Sequence, residues 1–496
     1  MTWRAAALLL AAALSALTAC ADPGDPASTA TPSDPRSTGG ADTEPDAERR
    51  PNVVLVVLDT LRTDHLSAYG YGWQTSPHLD ALAARGVIFT DCTAQASWTM
   101  PSMISLMTGE PIFRTVYKVP GSQPLLAERF AEAGWRTGGF AANSLLSTDA
   151  GFGRGFDDWD VRERGERRWT GADLVRQGLR FAEADDGRPF FLWLHFMDTH
   201  TPYESERRPW TRGPDELFSD WERQGFAAAL EAAPAGQRAA LAARFEAETR
   251  ALADEVDRYD AGVARVDAYL GRLFAELRAR DLLDDTYVAV VSDHGETLYR
   301  RPQQPHALAQ RRERADAAGQ PLTLDDLLKK EHDGTVFEEL VRTPWSLAGP
   351  GLPAGRRVES LVANLDVGAT LLGLCGLPSR HGSGRDLSHA LRSGAPVPPA
   401  AWSTSSCDLA LSAKLPGGRK LVVTRTPGPT GGLGEARLYD LAADPFERHP
   451  LPLDDDARVW LARLTEAAAA GPFHAVGGAD ADAETLERLR ELGYVR

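Results

Sequence analysis

The 496-residue chain has little cysteine: Cys20, Cys92, Cys375 and Cys407 are all there is, at spacings that match no metal-binding cluster. A disulfide framework is excluded, and with Cys20 set aside for the role given below an odd number remains, so at most one bridge can form. Basic residues are also in deficit, 54 Lys and Arg against 70 Asp and Glu, for a formal charge of -16 and a pI near 5.2. That balance excludes a broad electrostatic footprint for nucleic acid, and none is expected as a partner; any basic cluster that holds an anion must be a local pocket. A long apolar run is missing as well. The stretch 5–19 is too short to span a bilayer as a mature helix.

That stretch, preceded by Arg4 and followed by a small-residue junction, reads as an export signal over 1–20. Leu17-Thr18-Ala19-Cys20 resembles the lipobox of bacterial lipoproteins, which implies a lipid-modified Cys20 as the membrane contact and an exported protein anchored to the bacterial cell envelope, periplasmic or outer face. Residues 21–50 are Pro, Ser, Thr, Asp, Gly and Ala with almost no large apolar side chain, a composition that cannot offset ordering entropy by burial and so reads as a flexible tether. The remainder, in a chain 43% hydrophobic and 25% charged, reads as a catalytic domain over 51–398 and a smaller C-terminal subdomain over 399–496.

Strand-like runs recur at 52–58, 86–90, 136–141, 189–196 and 286–292 with helical segments between them, the alternation of parallel βαβ units. The best helix spans 254–280, where Val256, Tyr259, Val263, Val266, Leu270, Leu273 and Leu277 keep helical spacing. Two segments read as insertions, 204–250 and 300–330, placed to form a rim or lid or simply solvated helices. After Pro398 short strands at 402–406, 420–426 and 437–441 and a helix at 457–469 predict a small antiparallel sheet closed by a helix.

Chemistry concentrates where two β-branched runs end. The first, 52–58, ends in Asp59-Thr60-Leu61-Arg62-Thr63-Asp64-His65, and the second, 288–291, in Ser292-Asp293-His294-Gly295-Glu296. Each Asp alone reads as a turn former or helix cap. Together, at the carboxyl ends of buried strands, Asp59, Asp293 and His294 have the donor types a divalent cation needs.

From these and further motifs the chain is identified as resembling the sulfatase family of the alkaline phosphatase superfamily. The motifs are Thr75-Ser-Pro77-His78-Leu79-Asp80, Ser97-Trp98-Thr99-Met100-Pro101-Ser102-Met103, Gly151-Phe152-Gly-Arg154-Gly155-Phe156-Asp157, His195-Phe-Met-Asp-Thr-His200-Thr-Pro202-Tyr203, Glu331-His332-Asp-Gly with Arg342-Thr-Pro344, Asp366-Val-Gly-Ala-Thr370, Leu438-Tyr439-Asp440 and a closing Leu492-Gly493-Tyr494. The resemblance implies an α/β fold, an alkaline-phosphatase-like sandwich with a large, mostly parallel central sheet flanked by helices plus the small antiparallel C-terminal sheet and helix. It implies one divalent metal ion held by Asp59, Thr99, Asp293 and His294, Thr99 as nucleophile, and His200 and His332 facing the substrate or leaving group. His195, among Phe190, Phe191, Leu192, Trp193 and Phe196, reads as a satisfied structural histidine, and His65 and His78 as structural or loop residues.

The departures decide the chemistry. Sulfate-cleaving members carry Cys or Ser at the nucleophile, oxidised to formylglycine, followed by x-Pro-x-Arg; here Thr99, Pro101 and Met103 occupy those positions. Oxidation of a threonine gives only a ketone, so no formylglycine is expected, whereas a phosphothreonine can still be attacked by water or an acceptor hydroxyl. Met103 removes a cation, leaving Arg62, Arg114, Lys329, Lys330 and Arg342 as candidates to hold the anionic ester substrate, with Arg62, Arg114 and Lys330 foremost. Thr60 stands where many relatives have a second Asp, so manganese, magnesium or zinc becomes comparable to calcium. The reading is a metal-dependent hydrolase or transferase of phosphate or phosphodiester groups; the alternatives are a sulfuric ester hydrolase with an atypical site and a non-catalytic binding protein on the same fold.

Overall fold

The computed structural model describes residues 50–113, 116–161, 169–203, 210–303, 305–426 and 432–470. The expected leader with Cys20, the tether up to residue 49, Arg114 and the closing Leu492-Gly493-Tyr494 lie outside the described residues.

The strands, in chain order, are β1 (Asn52–Leu58), β2 (Val87–Thr93), β3 (Arg136–Ala141), β4 (Asp158–Val161), β5 (Phe190–Phe196), β6 (Thr286–Ser292), β7 (Arg301–Pro302), β8 (Leu328–Lys329), β9 (Arg342–Ala348), β10 (Arg356–Val358), β11 (Val362–Ala363), β12 (Ser403–Ser406), β13 (Ala410–Lys414), β14 (Arg419–Arg425) and β15 (Leu433–Asp440). The main sheet runs β10-β2-β9-β6-β1-β5-β3-β4, with β11 also paired to β2. All its pairings are parallel except those of β9, which is antiparallel to β2 and to β6. Every residue of β1, β5 and β6 is buried, as strands covered on both faces require.

Alternation along the strands sorts side chains onto two faces. Val54, Val56, Leu58, Leu192, Leu194, Val288 and Val290 pack against one layer, which includes helices Pro77–Arg85, Gly171–Glu183 and Phe245–Ala279. Val53, Leu55, Val57, Phe191, Trp193, Tyr287, Ala289 and Val291 pack against the other, which includes helices Thr99–Thr108, Leu126–Glu132 and Leu365–Leu374. The long helix begins at Phe245 rather than 254, and its register is the expected one, with Val256, Tyr259, Val263, Val266, Leu270, Leu273 and Leu277 all buried.

Strand β9 is an addition to the sequence reading, where Pro344 obscured it. The proline sits between the Thr343 and Trp345 pairings to β2, where the register shifts between Phe89 and Cys92, so the bulge accommodates the missing N–H. The two insertions do not lie free on the surface. Phe218, Phe226 and Leu241 of the first and Leu322, Leu324 and Leu327 of the second join one apolar cluster, and Gln237 reaches Asp316 (3.1 Å) and accepts from the Leu322 amide (3.2 Å).

The C-terminal sheet is antiparallel in the order β12-β13-β14-β15, one strand more than expected, with helix Asp455–Ala470 covering Leu411, Ala413, Leu421 and Val423 through Leu464. It is tied to the main sheet by buried charge: Lys414 meets Asp91 (2.5 Å) and Glu338 (2.6 Å), and Lys420 meets Glu338 and Glu447 (3.0 Å each). Cys92, Cys375 and Cys407 are buried and unbridged. No helix among the described residues is long and apolar enough to cross a membrane.

Candidate active site

The carboxyl ends of β1, β3, β5 and β6 converge, as ligand-binding ends of open α/β sheets do. Leu58 is in register with Phe196 on one side and Ser292 on the other, so Asp59 and Asp293 leave the sheet side by side. Both continue the alternation of the face that carries Val57 and Val291, and helix Thr99–Thr108, reached from the end of β2, packs on that face and brings Thr99 over them. The tight Asp-His-Gly turn depends on Gly295: a Cβ there would lie 2.1 Å from the Glu339 carbonyl oxygen.

The side chains at this junction are fully buried. One ligand atom from each of Asp59, Asp293 and His294 can be chosen so that all lie within 4.8 Å of one another. His294 Nε2 is 3.4 Å from Asp59 Oδ1 and 3.5 Å from Asp293 Oδ2. Thr99 Oγ1 lies 3.3 Å from His294 Nε2 and 3.4 Å from Asp59 Oδ2. His294 Nδ1 is 2.9 Å from the Gly295 carbonyl, to which only an N–H can donate, so the proton is on Nδ1 and the Nε2 lone pair faces the acids. Asp293 uses Oδ1 to accept the amides of His294 (2.8 Å) and Thr60 (3.3 Å).

Asp59 Oδ1 and Asp293 Oδ2 accept no hydrogen bond, although both are buried. Two carboxylate oxygens without a hydrogen bond and an imidazole lone pair converging away from solvent are costly unless a cation joins them. The donor set fits a divalent ion held by Asp59, Thr99, Asp293 and His294.

Thr60 has a left-handed backbone (φ 58°), which a β-branched residue adopts only when held. Its amide donates to Asp293 and its hydroxyl to the Thr199 carbonyl (2.7 Å), so it shapes the turn and positions Asp293.

His200 and His332 come together beside the junction, ring centroids 5.1 Å apart, and His332 lies 4.5 Å from the ring of His294. His200 Nδ1 bonds the Thr201 carbonyl, which orients the ring. His332 Nδ1 faces Glu296 Oε2 at 3.3 Å. Burial, then the charges of His294, His200 and Lys329, holds His332 well below the usual histidine range; burial, then repulsion from Glu331, pushes Glu296 well above the usual carboxylate range.

The candidate cations are placed differently. Arg62 is buried, with Nε and Nη2 on Asp64 (2.9 and 2.8 Å) and Nη1 on the carbonyls of Glu296 and Thr297, so its guanidinium braces the loop. Lys330 Nζ is 3.8 Å from Glu255 of the long helix. Lys329 donates to the His332 carbonyl (2.8 Å) and Arg342 to the Thr90 carbonyl (2.8 Å). His65 pairs with Asp260 at 2.6 Å, a loop-to-helix tie.

Two residues at the junction carry roles the sequence reading did not assign. Asn143, two residues past β3, donates Nδ2 to Asp59 Oδ2 (3.2 Å) and accepts the Leu145 amide (3.0 Å); its place after a parallel strand was the available signal. His195 is not a satisfied core histidine: its Nε2 stands 3.9 Å from Asp59 Oδ2 and 3.8 Å from Asp293 Oδ2, and neither ring nitrogen makes a hydrogen bond.

The chain shares 29% identity over 271 residues with human N-sulphoglucosamine sulphohydrolase, covering 50% of this chain and 51% of that protein, so it spans about half the length of that relative. It shares 26% over 388 residues with the choline-sulfatase of Rhizobium meliloti (strain 1021), 66% of this chain and 68% of that protein. The phosphonate monoester hydrolase of Agrobacterium radiobacter has the same fold, with a TM-score of 0.59 at 20% identity over 85% of this chain and 96% of that one. The Sulfatase family model matches residues 51–377, about two thirds of the chain, and with the strand-end acids, helix and histidines arranged as described, the protein belongs to the sulfatase family.

Proposed function

We propose that the protein is a metal-dependent hydrolase or transferase acting on phosphate or phosphodiester groups through Thr99. The observation that carries this reading is the Thr99 hydroxyl, buried at the first turn of its helix and 3.3–3.4 Å from His294 Nε2 and Asp59 Oδ2, beside two buried carboxylate oxygens that accept no hydrogen bond. A divalent cation bound by Asp59, Thr99, Asp293 and His294 would supply Lewis acidity to the hydroxyl and to the ester oxygen. The helix N-terminus adds partial positive charge where an anionic group would sit. Thr99 Oγ forms a bond to phosphorus and gives up its proton as the bond from phosphorus to the ester oxygen breaks, and His200 and His332 stand where that proton is relayed to the leaving oxygen. Water or an acceptor hydroxyl then attacks the phosphothreonine and frees Thr99.

The same reading places the mature chain outside the cytoplasm, tethered by a lipid on Cys20, with a catalytic domain over 51–398, a C-terminal subdomain over 399–496 and an anionic ester as its partner. Literal sulfate ester hydrolysis is the second reading, favoured by relatives named as sulfatases. Thr99 weighs against it, since threonine cannot form the aldehyde hydrate.

Intact-protein mass spectrometry after incubation with an aryl phosphate or phosphodiester and a divalent metal tests the proposal. A phosphate adduct on the Thr99 peptide is expected, with turnover that is lost with a chelator and falls at least about a thousandfold in Thr99→Ala. Turnover of an aryl sulfate with phosphoesters ignored would establish the second reading instead.

A further inference from the structure

We propose that a cavity between helix Pro77–Arg85 and the end of helix Phe245–Ala279 is a second binding site, separate from the cation site, for an anionic single-chain amphiphile of the fatty-acid class.

One stripe of each helix lines the cavity, with Ala81, Leu82 and Arg85 on the first and Gly271, Ala275 and Arg278 on the second, at the three- and four-residue steps that share a helix face. The pair is fixed at both ends. At one, Asp267 accepts the amides of His78 (3.1 Å) and Leu79 (2.8 Å), and Gly271 lets the His78 ring lie against the long helix, since a Cβ there would stand 2.5 Å from that ring. At the other, Arg85 meets Asp284 at 3.0 Å. Between these ties the methyl groups of Ala81 and Ala275 leave a space of about 350 Å³ unfilled. Protein interiors leave few voids larger than a water molecule, and this one has the size of a small-molecule site.

Its chemistry is divided between floor and rim. The floor is apolar and buried: Leu82, Phe274, Leu283, Val288 and Ala348 belong to the core on this face of the sheet. The rim carries two exposed guanidiniums, Arg85 and Arg278, against the one carboxylate of Asp284, in a chain whose formal charge is -16. Arg278 makes no ion pair or side-chain hydrogen bond among the described residues. A cation in the last turn of a helix complements the dipole by itself, but that accounts neither for the cavity nor for the apolar floor beneath the two guanidiniums. An anionic head on Arg278 and Arg85 with a hydrocarbon chain on the floor uses both. A neutral apolar molecule leaves the rim unused, and a compact inorganic anion leaves the floor. Thr286, at the edge of the cavity, opens β6, whereas Asp293 follows its other end, so the cation site lies roughly 20 Å away along the strand.

Calorimetric titration of the purified full chain with octanoate tests the proposal. One saturable site is expected, at least about tenfold tighter for octanoate than for 1-octanol, and each CH2 added from hexanoate to octanoate should tighten binding about fourfold. Arg278→Ala should weaken octanoate by at least about tenfold, and Ala275→Trp, at an exposed helix position, should block the site, with circular dichroism unchanged in both. In the wild type, octanoate should slow hydrogen exchange within 78–85 and 271–288 and leave 59–65 and 293–296 unaffected, which locates the site even where a variant does not fold. Absence of saturable binding, equal affinity for octanoate and 1-octanol, unaltered octanoate affinity in either folded variant, or protection at the strand-end acids instead would overturn the assignment.

Discussion

Asp293→Asn isolates the unpaired oxygen from the rest of the residue. Oδ1 accepts the amides of Thr60 and His294, so a replacing amide keeps its oxygen on those donors and turns its NH2 toward His294 Nε2, where Oδ2 now stands 3.5 Å away. The backbone anchor survives, and a pair of donors replaces a cation ligand. Metal at about 100 times its dissociation constant stabilises the wild type by about 2.7 kcal/mol. With an unfolding entropy of about 2.1 cal/mol/K per residue over roughly 400 described residues, that is a rise in Tm of about 3 °C. Differential scanning fluorimetry of the chelator-treated protein, with and without added zinc or manganese, measures the increment. In Asp293→Asn it should shrink below about 1 °C, with the chelated Tm within a few degrees of the wild type. A variant that retains the full increment refutes Asp293 as a ligand, and a wild type with no increment refutes the cation site.

Two further tests address the scaffold. Asp267 of the long helix accepts the amides of His78 (3.1 Å) and Leu79 (2.8 Å) at the start of helix Pro77–Arg85, so Asp267→Ala should cost about 1–2 kcal/mol in urea unfolding; an unchanged midpoint would refute this capping role. Burial, with repulsion from Arg129, lowers the His381 imidazole to about 4, so the unfolded chain takes up a proton below about pH 6.5 that the folded one takes only near 4. Stability is therefore fully present above pH 6.5 and lost as pH falls toward 4, by up to about 3 kcal/mol from this group, and His381→Asn should flatten that part of the Tm profile; an unchanged slope would show that His381 is not its source.

Periodicity and composition were enough to place β1, β3 and β6 with their observed boundaries, and for β1 and β6 the reason is that strands buried on both faces are largely continuous apolar runs. The same local signal failed at β9, where Pro344 is compatible with a central strand only because of a bulge in its partner β2, and at β13, whose small residues Ala410, Ser412 and Ala413 carry little apolar contrast. Asp59, Asp293 and His294 were legible because each follows such a run directly, and Thr99 through its motif.

What the sequence determined by itself is therefore the set of strand-end donors and the hydroxyl at a helix start, both local properties of the chain. Their meeting depended on tertiary structure. Register between β1, β5 and β6 puts His195 level with Val57 and aims it, with Asp59 and Asp293, at one face; strand pairing brings Asn143 from β3 onto Asp59. The loop contacts that occupy Arg62 and Lys330 are equally non-local, since a side chain's partner across 75 or 234 residues is set by packing rather than by its own neighbours in the chain.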